Sequence, residues 1–125
     1  MDDVEVRLTR VLGAWAAAST ALGAVLAVRP ATRGFGRQTL AWGAVDGAIA
    51  WAGTRRRASR GPTDPDRLRR VLLLNAGLDI GYVAVGARLV RDGRWRGDGA
   101  AVLVQGAFLL ILDTAAARAL GPARR

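Results

Sequence analysis

Residues 71–87 read VLLLNAGLDIGYVAVGA, a stretch of 17 residues in which the only charged side chain is that of Asp79. An α-helix of this length rises about 25 Å, close to the bilayer hydrocarbon thickness of about 30 Å. Asn75 lies four residues before Asp79 and Tyr82 three residues after it, so all three share one helix face. Val, Leu, Ile, Ala and Gly cover the rest of the circumference, which suits contact with lipid or another helix. The stretch therefore indicates a transmembrane helix with one polar face.

Three other stretches have the same character, at residues 11–28, 38–54 and 99–117. The first has no charged residue, and the other two contain one each, Asp46 and Asp113. The sequence thus predicts a single all-α domain over residues 1–125. It predicts four transmembrane helices, at about 11–28, 38–54, 70–90 and 99–118, arranged as two antiparallel hairpins in a bundle. A soluble four-helix bundle is the alternative, but it requires a broad charged face on each helix, which these stretches lack.

All 19 basic residues are arginine, against 10 acidic residues, and histidine and cysteine are absent. Disulfides, zinc sites built from His or Cys, and catalytic triads that need an imidazole are thereby excluded. The arginines lie between the apolar stretches, where they set topology and contact lipid head groups, so the net charge of +9 does not predict nucleic-acid binding. More arginines lie in the two tails, including Arg124 and Arg125, and the central loop than in the other two loops. The positive-inside rule then predicts that both termini and the central loop are cytoplasmic.

The three intramembrane aspartates are the main functional candidates, because an acid at the centre of a membrane helix costs about 2.5 to 3.5 kcal/mol on insertion scales. The second stretch contains few strongly apolar residues, so Asp46 is expected to face other helices. Asp46 and Asp79 are each the ninth residue of their stretches and are predicted to lie at similar depth. Two carboxylates held close repel each other, so we expect the pair to share a proton or bind a cation.

Polar and aromatic side chains accompany these acids at helical spacing, which predicts one shared interior cavity. The candidate residues for an ion, proton or ligand site are Asp46, Asp79, Asp113, Asn75, Gln105, Tyr82 and Trp42. The alternative interpretation is structural. In it, each acid is protonated or hydrogen-bonded and holds helices together, with Asn75, Gln105, Ser19 or a tryptophan N–H as its partner.

Two motifs also suggest a family. Residues 72–82 read LLLNAGLDIGY and are followed by Gly86, and residues 105–113 read QGAFLLILD. These runs resemble an uncharacterised family of small bacterial four-span membrane proteins, with N-A-G-L-D-x-x-Y in the third helix and Q-G-x-F-L-L-x-x-D in the fourth. Trp42, four residues before Asp46, resembles the W-x-x-x-[ND] element of the second helix. The resemblance implies a polytopic membrane protein without an assigned activity and singles out Asn75, Asp79, Tyr82, Gln105 and Asp113.

Together these features favour a small proton- or cation-linked transporter or channel that uses its intramembrane aspartates. The expected partners are the lipid bilayer, a proton, small cation or small-molecule ligand, and further copies of the chain, because four short Gly- and Ala-rich helices enclose little volume. No cofactor and no nucleic acid is expected. The main alternative is a structural or accessory membrane subunit whose buried acids bind a partner helix. A lipid-acting enzyme with paired carboxylates is disfavoured, because no metal or phosphate motif is present.

Overall fold

The computed structural model describes residues 3–121, and within this range the chain forms four α-helices and no strand. We number them α1 (Val4–Ala27), α2 (Arg33–Arg60), α3 (Pro65–Asp92) and α4 (Arg96–Leu120), with a 3-10 turn at Pro30–Thr32 before α2. The prediction of an all-α chain with four helices is confirmed. Arg124 and Arg125, which entered the topology prediction, lie outside the described residues.

Every helix extends beyond the apolar stretch from which it was predicted. Helix α2 continues to Arg60 and α3 begins at Pro65, so only residues 61–64 connect them, and most of the predicted central loop is helical. Arginine is a strong helix former, and its long side chain carries the guanidinium away from apolar surroundings while its backbone remains helical. Charge therefore marks the end of the apolar segment and not the end of the helix.

Local signals fix the ends of α3. The Asp64 side chain accepts a hydrogen bond from the backbone N–H of Arg67 at 3.1 Å, so Asp64 is the N-cap. Pro65 follows at the first helical position, where its missing N–H has no consequence. Gly93 ends the helix with φ of 74°, in the left-handed region that glycine adopts without steric cost.

A cluster of polar contacts joins the start of α1 to the connection at residues 61–64. The Arg57 guanidinium donates to Glu5 at 2.9 Å and to Asp3 at 3.0 Å. The backbone N–H and hydroxyl of Thr63 donate to the same Glu5 carboxylate at 2.9 and 2.8 Å. Asp3 also accepts a hydrogen bond from the backbone N–H of Glu5, and this bond, with the contribution of Arg57, holds the pKa of Asp3 below its ordinary value.

The helices approach one another through glycine. At Gly23, a Cβ atom would meet the backbone of Leu40 across the contact between α1 and α2. At Gly86, a Cβ atom would lie 2.6 Å from the backbone nitrogen of Leu103 and 2.8 Å from the carbonyl oxygen of Gly99, across the contact between α3 and α4. Such backbone proximity through small residues is typical of membrane helices. Helix α4 also packs against α2.

The distribution of side chains is the reverse of that in a water-soluble bundle. The core is made largely of alanine and glycine, and it contains the polar residues Ser19, Thr39, Asp46, Asp79, Gln105 and Asp113. Large apolar side chains cover the outside, including Leu22, Val25, Leu74, Leu78, Ile80, Val85 and Ile111. A soluble protein rarely exposes so much contiguous apolar surface. Buried polar residues beneath a lipophilic exterior are the arrangement of a membrane protein.

Three helices, α1, α3 and α4, are long and apolar enough to cross a membrane, whereas α2 is not. The prediction of four such helices is therefore wrong for α2. Its middle consists mainly of Gly, Ala, Trp and Thr, and only Leu40, Val45 and Ile49 offset the charge of Asp46. The three apolar helices indicate a membrane protein.

Candidate functional site

A cavity of about 470 Å³ lies between α2 and α3, with further lining from α1 and α4. We call it the central cavity. The charged side chains of Glu5, Arg56 and Arg67 line one end, and the aromatic side chains of Trp42 and Tyr82 line the other. This order follows from the antiparallel course of α2 and α3, which brings the end of α2 beside the start of α3.

Asp46, Asp79 and Asp113 converge on the central cavity from three different helices. They are among the least accessible residues of the chain, with exposed fractions of 1%, 3% and 9%. The carboxyl groups of Asp79 and Asp113 lie within hydrogen-bonding reach of each other, and Asp46 is close enough to repel both. An ionised carboxylate only accepts hydrogen bonds, so a bond between two carboxyl groups requires a proton on one of them.

Two carboxylate oxygens have no partner. Asp46 and Asp79 line the central cavity, and Oδ2 of each is buried and makes no hydrogen bond. A buried polar atom without a partner is costly, and it is rare in native proteins unless a proton, an ion or a ligand accounts for it. An acid that serves only to hold helices together would direct both oxygens to donors on neighbouring helices. Neither Asp46 nor Asp79 has both oxygens paired in this way.

Aromatic and amide groups complete the polar part of the cavity. The rings of Trp42 and Tyr82 meet edge to face, with centroids 5.1 Å apart and an interplanar angle of 72°. Asn75 lines the same cavity one turn before Asp79. The structure thus brings together six of the seven residues predicted from the sequence, namely Trp42, Asp46, Asn75, Asp79, Tyr82 and Asp113.

Gln105 does not line the cavity. Its side-chain oxygen accepts a hydrogen bond from Nε1 of Trp15 at 2.8 Å, and its Nε2 donates to the hydroxyl of Ser19 at 3.2 Å. Trp15 in turn stacks on Phe108 with ring centroids 3.8 Å apart. Gln105 and Asp113 are eight positions apart, which corresponds to a rotation of about 80° beyond two full turns, so the two side chains point in different directions. Gln105 joins α1 to α4.

Replacing Gln105 with leucine is expected to lower the free energy of unfolding by about 1 to 2 kcal/mol, because the Trp15 N–H and the Ser19 hydroxyl lose their buried partner. The measurement is unfolding in mixed micelles with increasing dodecyl sulfate, followed by circular dichroism. Val104→Leu, at an exposed position next to it, is the matched control. An unfolding curve for Gln105→Leu that coincides with that of the control would contradict this structural role.

Sequence reasoning did not identify the residues at the charged end of the cavity. Arg56 donates to the hydroxyl of Thr63 at 2.6 Å, and Arg67 lines the cavity beside them. In the sequence these arginines look like the other flanking arginines, because nothing local distinguishes one that lines a cavity from one that faces a head group.

The chemistry available to the cavity is that of carboxyl groups. Among residues 3–121, no group of three or more His, Cys, Asp or Glu side chains is arranged to hold a metal ion. The close pair Asp79 and Asp113 is suited to hold a proton, and Asp46 offers a further carboxylate from α2. The site can therefore exchange a proton, or it can neutralise a cation that does not need several oxygen ligands.

Comparison with known proteins gives a family but no activity. No curated protein and no solved structure matches the chain. Residues 11–114 match the Family of unknown function (DUF6992). The match covers nearly all of the four helices and includes the three aspartates of the cavity. It agrees with the prediction of an uncharacterised family, and it shows that the chain belongs to DUF6992.

Proposed function

We propose that this protein is a small proton-linked membrane transporter or channel in which Asp46, Asp79 and Asp113 carry the proton through the middle of the bilayer. One observation supports this above all: three buried aspartates from three helices converge on one cavity, with carboxylate oxygens left unpaired. Such groups are costly in an apolar interior, and membrane proteins retain them chiefly on ion and proton pathways.

The proposal includes a membrane crossing for α2, whose composition alone does not favour one. Helix α2 lies along α1, from Gly36 beside Ala27 at one end to Gly53 beside Thr9 at the other. If α1 spans the bilayer, α2 spans it too, as the second arm of an antiparallel hairpin. Its polar face then lines the central cavity, where Asp46 is shielded from lipid.

In this arrangement α3 and α4 form a second hairpin, and both termini lie on one side of the membrane. Charge favours the cytoplasmic side of a bacterial inner membrane, since more arginines lie in the tails and near the connection of α2 to α3 than in the other two connections. The charged end of the central cavity then faces the cytoplasm, and its aromatic end lies deeper in the bilayer.

A proton is the simplest ion for this site. Three carboxylates in an apolar interior cannot all remain ionised at close range, since their mutual repulsion adds to the cost of removing each from water. A proton held between Asp79 and Asp113 relieves this repulsion, and Asp46 offers the next acceptor. Transfer among the three groups would move a proton across the middle of the bundle.

Purified protein reconstituted into liposomes tests the function directly. We expect proton entry, recorded by an internal pH-sensitive dye under a valinomycin-clamped potassium potential, to exceed the rate in protein-free vesicles. A variant in which all three cavity aspartates are replaced with asparagine is expected to show only the rate of protein-free vesicles. If the parent protein does not exceed that rate, the proposal is wrong.

The alternative, an accessory subunit whose acids bind a partner helix, has one observation in its favour. The central cavity opens sideways between α2 and α3, where Ile49 and Leu78 line it and are each more than half exposed. A helix from another subunit, including a second copy of this chain, would cover that opening. The two functions differ in what they predict for the stability of aspartate variants.

A further inference from the structure

We propose that the central cavity binds a hydrophobic organic cation, such as a quaternary ammonium ion with apolar substituents, in exchange for the proton on its aspartates. This inference rests on the proposed proton-linked function and names the class of substrate that would be coupled to the proton. It follows from the unpaired carboxylate oxygens, the aromatic pair, the apolar walls and the sideways opening of the cavity.

The unpaired oxygens supply the negative charge. Asp46 and Asp79 line the cavity and are each more than nine-tenths buried, and each has one buried carboxylate oxygen without a hydrogen-bond donor. A ligand that carries N–H donors would pair with these oxygens, and a quaternary ammonium ion would neutralise them by charge alone. A neutral apolar ligand would leave both oxygens buried and unpaired, which is unfavourable.

The aromatic pair indicates an organic cation in preference to an inorganic one. Trp42 is one turn from Asp46 on α2, and Tyr82 is one turn from Asp79 on α3, so each ring accompanies a carboxylate. Aromatic faces near acidic groups are the usual environment of bound quaternary ammonium ions, which have no tightly held water. Inorganic cations such as Mg²⁺ or Ca²⁺ instead require several oxygen ligands, and the described residues offer no such cluster.

The size and walls of the cavity fit an organic molecule. Its volume of about 470 Å³ is far larger than a proton needs, and it falls within the range of about 300 to 1,000 Å³ typical of small-molecule sites. Leucine side chains from α1, α3 and α4 provide apolar lining, including Leu12, Leu72, Leu109 and Leu112, and Val45 and Ile49 add to it from α2. An ion with apolar substituents would bury them against these walls while its charge lies beside the aspartates.

The sideways opening indicates how such an ion would enter. The opening lies between Val45 and Ile49 on α2 and Val71 and Leu78 on α3. All four side chains line the cavity and are substantially exposed. A hydrophobic cation dissolved in the outer part of the bilayer would reach the aspartates between these side chains. The charged end of the cavity is a less favourable route, because Arg56 and Arg67 repel a cation there.

In the exchange that we propose, a proton leaves when the cation binds. The titratable and charged groups that line the cavity are Glu5, Arg56, Arg67, Tyr82, Asp46, Asp79 and Asp113. Glu5 is paired with Arg57, and the two arginines keep their charge, so the proton shared by Asp79 and Asp113 is the one available for release. Binding of a monovalent cation with release of one proton to water leaves the net charge of the cavity unchanged.

The experiment uses the purified full chain in detergent and benzyltrimethylammonium as the probe. Isothermal titration calorimetry in buffers of different ionisation enthalpy gives both the Kd and the number of protons released. We expect saturable binding with release of a proton for each cation bound. Neopentylbenzene, in which carbon replaces the charged nitrogen, is expected not to compete, and neither is excess K⁺.

Two variants test the aromatic contribution. Trp42→Ala and Tyr82→Leu are each expected to raise the Kd about tenfold by removing one aromatic face. Trp51→Ala is the matched control for the first, because Trp51 lies on the same helix but is 63% exposed and does not line the central cavity. Its Kd is expected to equal that of the parent, and circular dichroism establishes that each variant is helical.

Several outcomes would overturn the inference. They are competition by the neutral isostere, displacement by K⁺, binding without proton release, and unchanged affinity in both aromatic variants. The proton flux into liposomes is measured without any organic cation, so the two proposals can fail separately. Flux without binding would overturn only the substrate class. Proton-releasing binding without flux would support the organic-cation site and contradict the transport function.

Discussion

Replacing Asp79 with asparagine is expected to lower the proton flux of the reconstituted protein about a hundredfold or more, the effect typical of losing a positioned proton-transfer group. Asp79 is the residue that links the three acids, because its carboxyl group lies within hydrogen-bonding reach of Asp113 and close enough to Asp46 to repel it. Asparagine keeps nearly the same shape but cannot take up or release a proton. The measurement is the rate of internal acidification in liposomes at equal protein content.

Asp92→Asn provides the matched control for this substitution. Asp92 lies on the same helix, but its side chain is 54% exposed and it lies 3.9 Å from Arg88, outside the central cavity. We expect its flux to remain within about twofold of the parent, because a surface ion pair of this kind contributes little to structure. Equal loss of flux in both variants would show that the effect is not specific to the cavity.

The stability of Asp79→Asn separates transport from a purely structural role. A buried acid with an unpaired oxygen is costly to the folded state, so its neutral replacement is expected to unfold at the same or a higher dodecyl sulfate fraction than the parent. An acid that holds helices together would give the opposite result. Lower stability together with loss of flux would favour the accessory-subunit interpretation.

Much of the fold follows from the placement of charge along the sequence. Stretches with at most one charged residue predicted all four helices, and the aspartates within three of these stretches now line one cavity. The composition of α2 also indicated that it is the least apolar of the four helices, since its few aliphatic residues barely offset the cost of placing Asp46 in a membrane. The structure shows why this helix tolerates the acid, because Asp46 is 1% exposed.

Other features of the site depend on three-dimensional placement that local spacing does not encode. Gln105 has the residue type of a cavity residue, but its rotation about α4 directs it to Trp15. The contact between Glu5 and Thr63 joins residues 58 positions apart and closes the charged end of the bundle. Neither the rotation of one helix against its neighbours nor such a long-range contact can be obtained from periodicity alone.

The contact of α3 with α4 sets the geometry of the acids. Gly86 is seven residues, or two turns, after Asp79 and therefore lies on the same face of α3. At this point the nearest atoms of α4 belong to backbone, at Gly99 and Leu103, and not to side chains that can rotate away. The same close approach brings Asp79 within reach of Asp113.

Replacing Gly86 with leucine is accordingly expected to destabilise the protein by more than about 3 kcal/mol, because α3 must separate from α4 to admit a side chain. Gly81→Leu is the matched control, since a Cβ atom there would meet nothing within 4 Å and the residue is exposed on the same helix. Dodecyl sulfate unfolding and the folded yield in mild detergent measure the difference. A parent-like unfolding curve for Gly86→Leu would contradict the packing of α3 on α4. Unfolding of both variants alike would show that α3 tolerates no leucine at either position, whatever the spacing of the helices.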